Sequence, residues 1–192
     1  GFTRIMPYRY VDADPIRTIE KNGRRKIKEE ILDDLKRVPN GVIGWGYVDA
    51  TKENASFLTS AGRVNFFIYR DPRDMLVSQV FFATDMHEEH GMHEYYNSLP
   101  NFDARLNIAI TGIDRDGLKM VSVKQRYEGV FQWLEQKDVM CLRFEDLINN
   151  RDATLLAMLD EVEKTGYKIP MPREKSLPIL VEAIQPKKSR TF

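Results

Sequence analysis

Apolar side chains recur at three- and four-residue intervals at Ile27, Ile31, Leu35 and Val38 with charges between them, and this spacing predicts an amphipathic helix bounded by Gly23 and Pro39. The pattern changes at residues 64–69, where Val64-Asn65-Phe66-Phe67-Ile68-Tyr69 is almost continuously β-branched or aromatic. Such a run is expected of a strand covered on both faces in a parallel sheet. Residues 139–144 read the same way, residues 42–48 form a third strand pattern weakened by Gly44 and Gly46, and residues 4–10 a fourth. Helical patterns occupy residues 52–60, 73–84, 104–113, 122–136 and 152–165. Strands alternating with helices predict a doubly wound α/β sheet. No repeat, low-complexity tract or linker-like cluster of Pro and Gly interrupts the series, so residues 1–192 read as one domain.

Composition narrows the range of functions. A chain of 192 residues, 42% hydrophobic and 30% charged, is long enough for one α/β domain with a core. Lys+Arg and Asp+Glu both number 29, so no global basic field exists to hold nucleic acid or an anionic membrane, and an anion site must be local. The charge is unevenly spread: Asp85, Glu88, Glu89, Glu94 and Asp103 lie in a stretch with no Lys or Arg, while Lys187, Lys188 and Arg190 crowd the end. The single cysteine, Cys141, sits in an apolar run and is expected to be a small buried hydrophobe of a protein from a reducing compartment. Apolar runs fall well short of the roughly 20 residues that span a bilayer, and no secretory pattern opens the chain. A cytoplasmic protein without a membrane span is the expectation.

The densest chemical signal lies where a buried-type strand meets a helix start, at Tyr69-Arg70-Asp71-Pro72-Arg73-Asp74-Met75-Leu76-Val77-Ser78. Asp71 suits an N-cap, Pro72 the first helical position, and Asp74 the place from which a capping-box acid reaches back. Ligands of open parallel sheets bind at the carboxyl ends of strands, where helix N-termini offer free N–H groups and partial positive charge. Arg70 adds a planar fork of donors and Ser78, two turns on, a hydroxyl; together they suit a phosphate monoester. The competing reading pairs Arg70 and Arg73 with Asp71 and Asp74 as surface ion pairs.

The run from Phe67 to Ser78 closely resembles the 3′-phosphate-binding motif of sulfotransferases that use 3′-phosphoadenosine 5′-phosphosulfate (PAPS). Tyr127, Trp133 and then Val139-Met140-Cys141-Leu142-Arg143-Phe144-Glu145-Asp146-Leu147 are similar to that family's tryptophan helix and the strand after it. Lys188-Ser189-Arg190-Thr191-Phe192 is similar to the stretch leading into the family's Arg-Lys-Gly loop. The resemblance implies a three-layer, P-loop-NTPase-like α/β domain with a mostly parallel sheet flanked by helices. It also implies that Arg70 and Ser78 bind the 3′-phosphate of PAPS, used as co-substrate without a metal. Phe144 stands in place of the family's usual Tyr and would lie near the adenine, or equally belong to the core.

The sequence departs from the family at two places. The phosphosulfate loop, an N-terminal Pro-Lys-Ser-Gly-Thr-type motif, has no counterpart, and the chain stops before the Arg-Lys-Gly position; it is expected to be incomplete at both ends. The position of the family's catalytic histidine falls in Ile43-Gly44-Trp45-Gly46-Tyr47, which has none. All three histidines lie instead at His87, His90 and His93, among Glu88, Glu89 and Glu94. His90 or His93 is a candidate general base; the alternatives are a metal site, whose spacing is one residue short of His-Glu-x-x-His, or a solvated acidic loop. The function implied is transfer of a sulfuryl group from PAPS to a hydroxyl or amine of a small-molecule acceptor, with Tyr10, Tyr95, Tyr96 and Phe102 as aromatic candidates for the acceptor side. The alternative is a non-catalytic binding module on the same scaffold, recognising a nucleotide or a protein partner.

Overall fold

Ile31 and Leu35 turn the same face of their helix inward, 7% and 5% exposed, and bury it against Val48, Phe57 and Leu58, as their four-residue spacing requires. A computed structural model describes residues 26–38, 43–60, 62–115 and 117–184, and within them the chain is an α/β protein. Helices α1 (Lys28–Lys36) and α2 (Lys52–Leu58) precede strand β1 (Phe66–Tyr69), which leads into α3 (Pro72–Phe81) and a π-helical turn at Phe82–Met86. Next come α4 (His93–Ser98), α5 (Phe102–Thr111), the strands β2 (Ile113–Arg115) and β3 (Leu118–Met120), α6 (Val123–Tyr127) and a 3₁₀ turn at Phe131–Glu135. Strand β4 (Met140–Arg143) and helices α7 (Phe144–Asn149), α8 (Arg151–Lys164) and α9 (Arg173–Ala183) complete the described chain.

These elements fall into two compact units. The first holds the described residues up to Ile68 and those from Val130 onward. Here β1 and β4 pair in parallel, with the Met140 N–H donating to the Asn65 carbonyl at 2.9 Å. Leu142 and Leu147 pack with Leu155, Met158 and Leu159 of α8 and Leu180 of α9 to form its largest core. Trp133 is 5% exposed beside Ala50, Ala55 and Val139, and its indole N–H donates to the Val48 carbonyl at 2.7 Å, which meets the need of a buried ring nitrogen. The second unit, residues 69–129, packs Leu76, Val80 and Ala83 against Met92, Tyr96, Ala109 and Ile113. Its strands β2 and β3 form an antiparallel hairpin with Ile113 opposite Met120 and Arg115 opposite Leu118.

The helices expected at residues 52–60, 104–113 and 152–165 lie at α2, α5 and α8 within a few residues at each end. The expected strand at 64–69 forms, but Ile68 is 52% exposed, so β1 is not covered on both faces. Residues 43–48 are extended with a single bridge at Gly46 rather than a strand, and Trp45 and Tyr47 are exposed, because two glycines leave too little side-chain surface to pack a ladder. The continuous helix expected at 122–136 divides into α6 and the 3₁₀ turn: Trp133 is drawn into the core beside Val139, which interrupts the α-helical path at residues 128–130. The hairpin, α4, α7 and α9 were not legible as separate elements. The proposed strand at 4–10 and the basic tail from Lys187 lie outside the described residues. No helix of the described residues is long and apolar enough to cross a membrane.

Candidate functional site

The junction of β1 and α3 is built from its capping chemistry. Asp71 takes an extended conformation and its carboxylate accepts the Arg73 N–H at 2.9 Å, while its carbonyl accepts the first helical bond from Met75 at 3.1 Å. Pro72 at the first position has no N–H to leave unsatisfied. Asp74 does not close a capping box. It faces Arg70 instead, with its carboxylate 3.9 Å from the Arg70 Nε. The Arg73 guanidinium grips Asp71 in a fork, Nε to Oδ1 at 3.0 Å and Nη2 to Oδ2 at 2.5 Å, and this hydrogen bond raises the Arg73 pKa above its ordinary value.

Arg70 thus stands at the carboxyl end of β1 with its side chain 28% exposed, and Ser78 lies half-buried on α3 two turns beyond Asp71. Both ion pairs of the competing surface reading are present in this geometry. The Arg70–Asp74 contact is long, at 3.9 Å, and joins a guanidinium nitrogen out of solvent to a carboxylate side chain that is 56% exposed. Phe144 belongs to the other unit, half-buried as the first residue of α7.

The histidine segment has a tighter design. A π-turn ends the helix at residues 82–86, and the carbonyls of such a last turn find no partner within the helix. His93 and Asn97 of α4 take them up: the His93 Nδ1–H donates to the Ala83 carbonyl at 2.9 Å and the Asn97 amide to the Thr84 carbonyl at 3.4 Å. The same Asn97 amide lies 3.2 Å from the His93 Nε2, whose lone pair accepts it. The His90 ring is engaged differently: its Nδ1 accepts the Met92 N–H at 3.1 Å. Neither imidazole therefore offers a free nitrogen lone pair at these positions, and the general-base role expected of His90 or His93 requires one of these bonds to break. Burial, with His87 and His93 close by, lowers the His90 pKa below the ordinary imidazole value. Among the described residues no group of His, Cys, Asp and Glu is arranged to hold a metal.

Beside this segment lies an open cavity of about 560 Å³ whose wall includes Glu88, Glu89, His90, Glu94, Tyr95 and Ser98. Arg115 closes over the Tyr95 ring and donates to its hydroxyl at 2.7 Å. Of the aromatic residues considered for an acceptor, Tyr95 alone is in this wall. Tyr96 is fully buried with its hydroxyl on the Met120 sulfur at 3.6 Å, and Phe102 stacks on Phe81 at 5.0 Å; Tyr10 lies outside the described residues. Sequence reasoning missed the Asn97–His93 pair, although a four-residue spacing from His93 to Asn97 is a signal that it could have used. No family model, curated protein or solved structure matches the chain.

Proposed function

We propose that this chain is a PAPS-dependent sulfotransferase with a three-layer, P-loop-NTPase-like fold, acting in the cytoplasm on a small hydroxyl- or amine-bearing acceptor. The observation that carries this reading is the β1–α3 junction, where Arg70 leaves the strand beside a helix start capped by Asp71 and opened by Pro72. A guanidinium beside a helix N-terminus favours a dianionic phosphate over its surroundings. Arg70 and Ser78 would hold the 3′-phosphate of the nucleotide, and Asp74 would yield its place on Arg70 to it.

When bound, PAPS supplies the sulfuryl group and its leaving phosphate. The protein's own residues would anchor and orient: Arg70 fixes the nucleotide by its far phosphate, so that binding energy there holds the reacting end in register. The carboxylates around the acidic cavity suit an acceptor bearing an amine. Calorimetric titration with 3′-phosphoadenosine 5′-phosphate and with 5′-AMP tests the reading. The 3′-phosphate is expected to tighten binding by about 10- to 100-fold, and Arg70→Ala to remove that advantage, as for a charge-assisted hydrogen bond worth about 1.5–3 kcal/mol. Ser78→Ala should remove a smaller part. Equal affinity for the two nucleotides in a folded chain rejects the proposal.

The second reading, a non-catalytic module on the same scaffold, is favoured by the engaged lone pairs of His90 and His93. It keeps the 3′-phosphate preference and lacks turnover with any acceptor.

A further inference from the structure

Two histidines seven and ten residues after Ala83 make bonds that respond differently to a proton, His93 to the π-turn at Ala83 and His90 to the turn at Met92. The His93 Nδ1–H donates to the Ala83 carbonyl, and it is a donor in both the neutral and the charged ring. His93 thus holds the Ala83 carbonyl as a donor. His90 is the opposite case, because its Nδ1 is an acceptor for the Met92 N–H, and the proton would occupy the lone pair that makes the bond.

The bond at His90 sits where it matters. Met92 is 7% exposed and packs with Leu76, Val80, Ala83 and Tyr96, so its backbone position carries one end of the second unit's core. The turn around it is closed by the His90 N–H on the His87 carbonyl at 2.9 Å and the His93 N–H on the His90 carbonyl at 2.7 Å. The rings of His87 and His90 lie edge-on to Phe82 of the π-turn, at 5.3 and 6.1 Å between centroids, and form its outer cover.

We propose that residues 87–92 are a proton-operated latch, closed while His90 accepts the Met92 N–H and released when a proton takes that place, so that the wall of the acidic cavity opens. A charged ring would present a second donor to the Met92 N–H, and the two groups repel. The charges facing it decide the direction of travel. From its own segment and α4, Glu88, Glu89 and Glu94 line the cavity with His90 and draw an imidazolium outward. From the hairpin, Leu118 lines the same cavity without charge, and the Arg115 guanidinium is held at Tyr95. His87, with its ring 6.2 Å away, and His93 oppose a second positive charge, as does burial.

The sign follows. His90 binds a proton less readily in the closed turn than in an open chain, so the latch is fully closed above the free imidazole value of 6.5 and is lost as the pH falls through the lower folded value. The test is amide exchange of Met92, expressed as a protection factor, followed from about pH 7.5 to about pH 5. In the natural chain protection should fall across this range, while amides in the middle of α5 keep theirs. His90→Asn places a side-chain oxygen where Nδ1 stood, accepts the Met92 N–H and cannot titrate; it should hold protection flat across the range. His90→Ala has no acceptor and should be unprotected throughout. Flat protection in the natural chain, or the same fall in His90→Asn, overturns the proposal. A parallel titration of the His90 ring nitrogens in the natural chain decides the matter even if a variant misfolds: ring protonation must coincide with loss of Met92 protection, and protonation without that loss overturns the latch.

Discussion

Gly112 shows how much one residue can decide. Its φ of +79° with ψ of 179° is a conformation open essentially to glycine alone, and it turns the end of α5 directly into β2. A Cβ there would lie 2.5 Å from the Met120 carbonyl oxygen and 2.7 Å from the Ser122 nitrogen, both backbone atoms that have no freedom to yield. Gly112→Ala should therefore cost about 1–3 kcal/mol, more than the usual glycine-to-alanine effect, and lower the urea midpoint accordingly. An unchanged midpoint would mean that the hairpin contributes nothing to the cooperative fold. Cys141 is a milder example: it is half-buried rather than fully buried as its apolar neighbours in sequence suggested, burial pushes its thiol pKa up, and its S–H donates to the Trp133 carbonyl at 3.4 Å.

At the scale of elements, the helix starts are the best-specified features. Asp71, Asn101 and Ser122 each cap a helix with a side-chain oxygen, on the N–H of Arg73, Ala104 and Gln125 respectively. All three residue types favour this position because a short side chain reaches an orphan N–H of the first turn. Asp71→Ala should destabilise the protein by about 1 kcal/mol, read as a fall in Tm, because it removes the cap of α3 and with it the partner of Arg73. A Tm unchanged by Asp71→Ala would leave Pro72 as the sole determinant of the helix start. Helix ends were less legible. The pattern at residues 73–84 carries straight through Phe81, and only the tertiary bonds from His93 and Asn97 to the Ala83 and Thr84 carbonyls account for the wider π-turn there. Those partners lie ten and thirteen residues away, beyond the reach of a periodicity argument.

For the whole molecule, the division into two units makes a distinct prediction. Leu76 and Leu159 are 4% and 0% exposed in cores that share no residue. Truncating either to alanine should cost about 2–5 kcal/mol of local stability. Native-state hydrogen exchange of Leu76→Ala is expected to speed in α3, α4 and α5 ahead of α8, and of Leu159→Ala in α8 and α9 ahead of α5. Equal acceleration everywhere in both variants would show a single cooperative unit, as the absence of any linker in the sequence suggests.

The sequence alone determined the helices whose apolar spacing is regular, α1 and α8 above all, the strand character of residues 66–69 and 140–143, and the capped junction of β1 with α3. These are local matters: side-chain periodicity, capping oxygens and a proline at the first position act within a turn or two of chain. The tertiary structure alone decided that Ile68 is exposed on one face of β1 and that Trp133 divides the helix expected at residues 122–136. It also decided that the lone pairs of His90 and His93 are spent on the Met92 and Asn97 donors, whereas the pairing of Arg70 with Asp74 was already one of the two readings of the sequence. The physical reason is common to all of these. Composition lists which groups can donate, accept or be buried, and a hydrogen-bond partner or a covering side chain is a matter of distance, which only the folded chain sets.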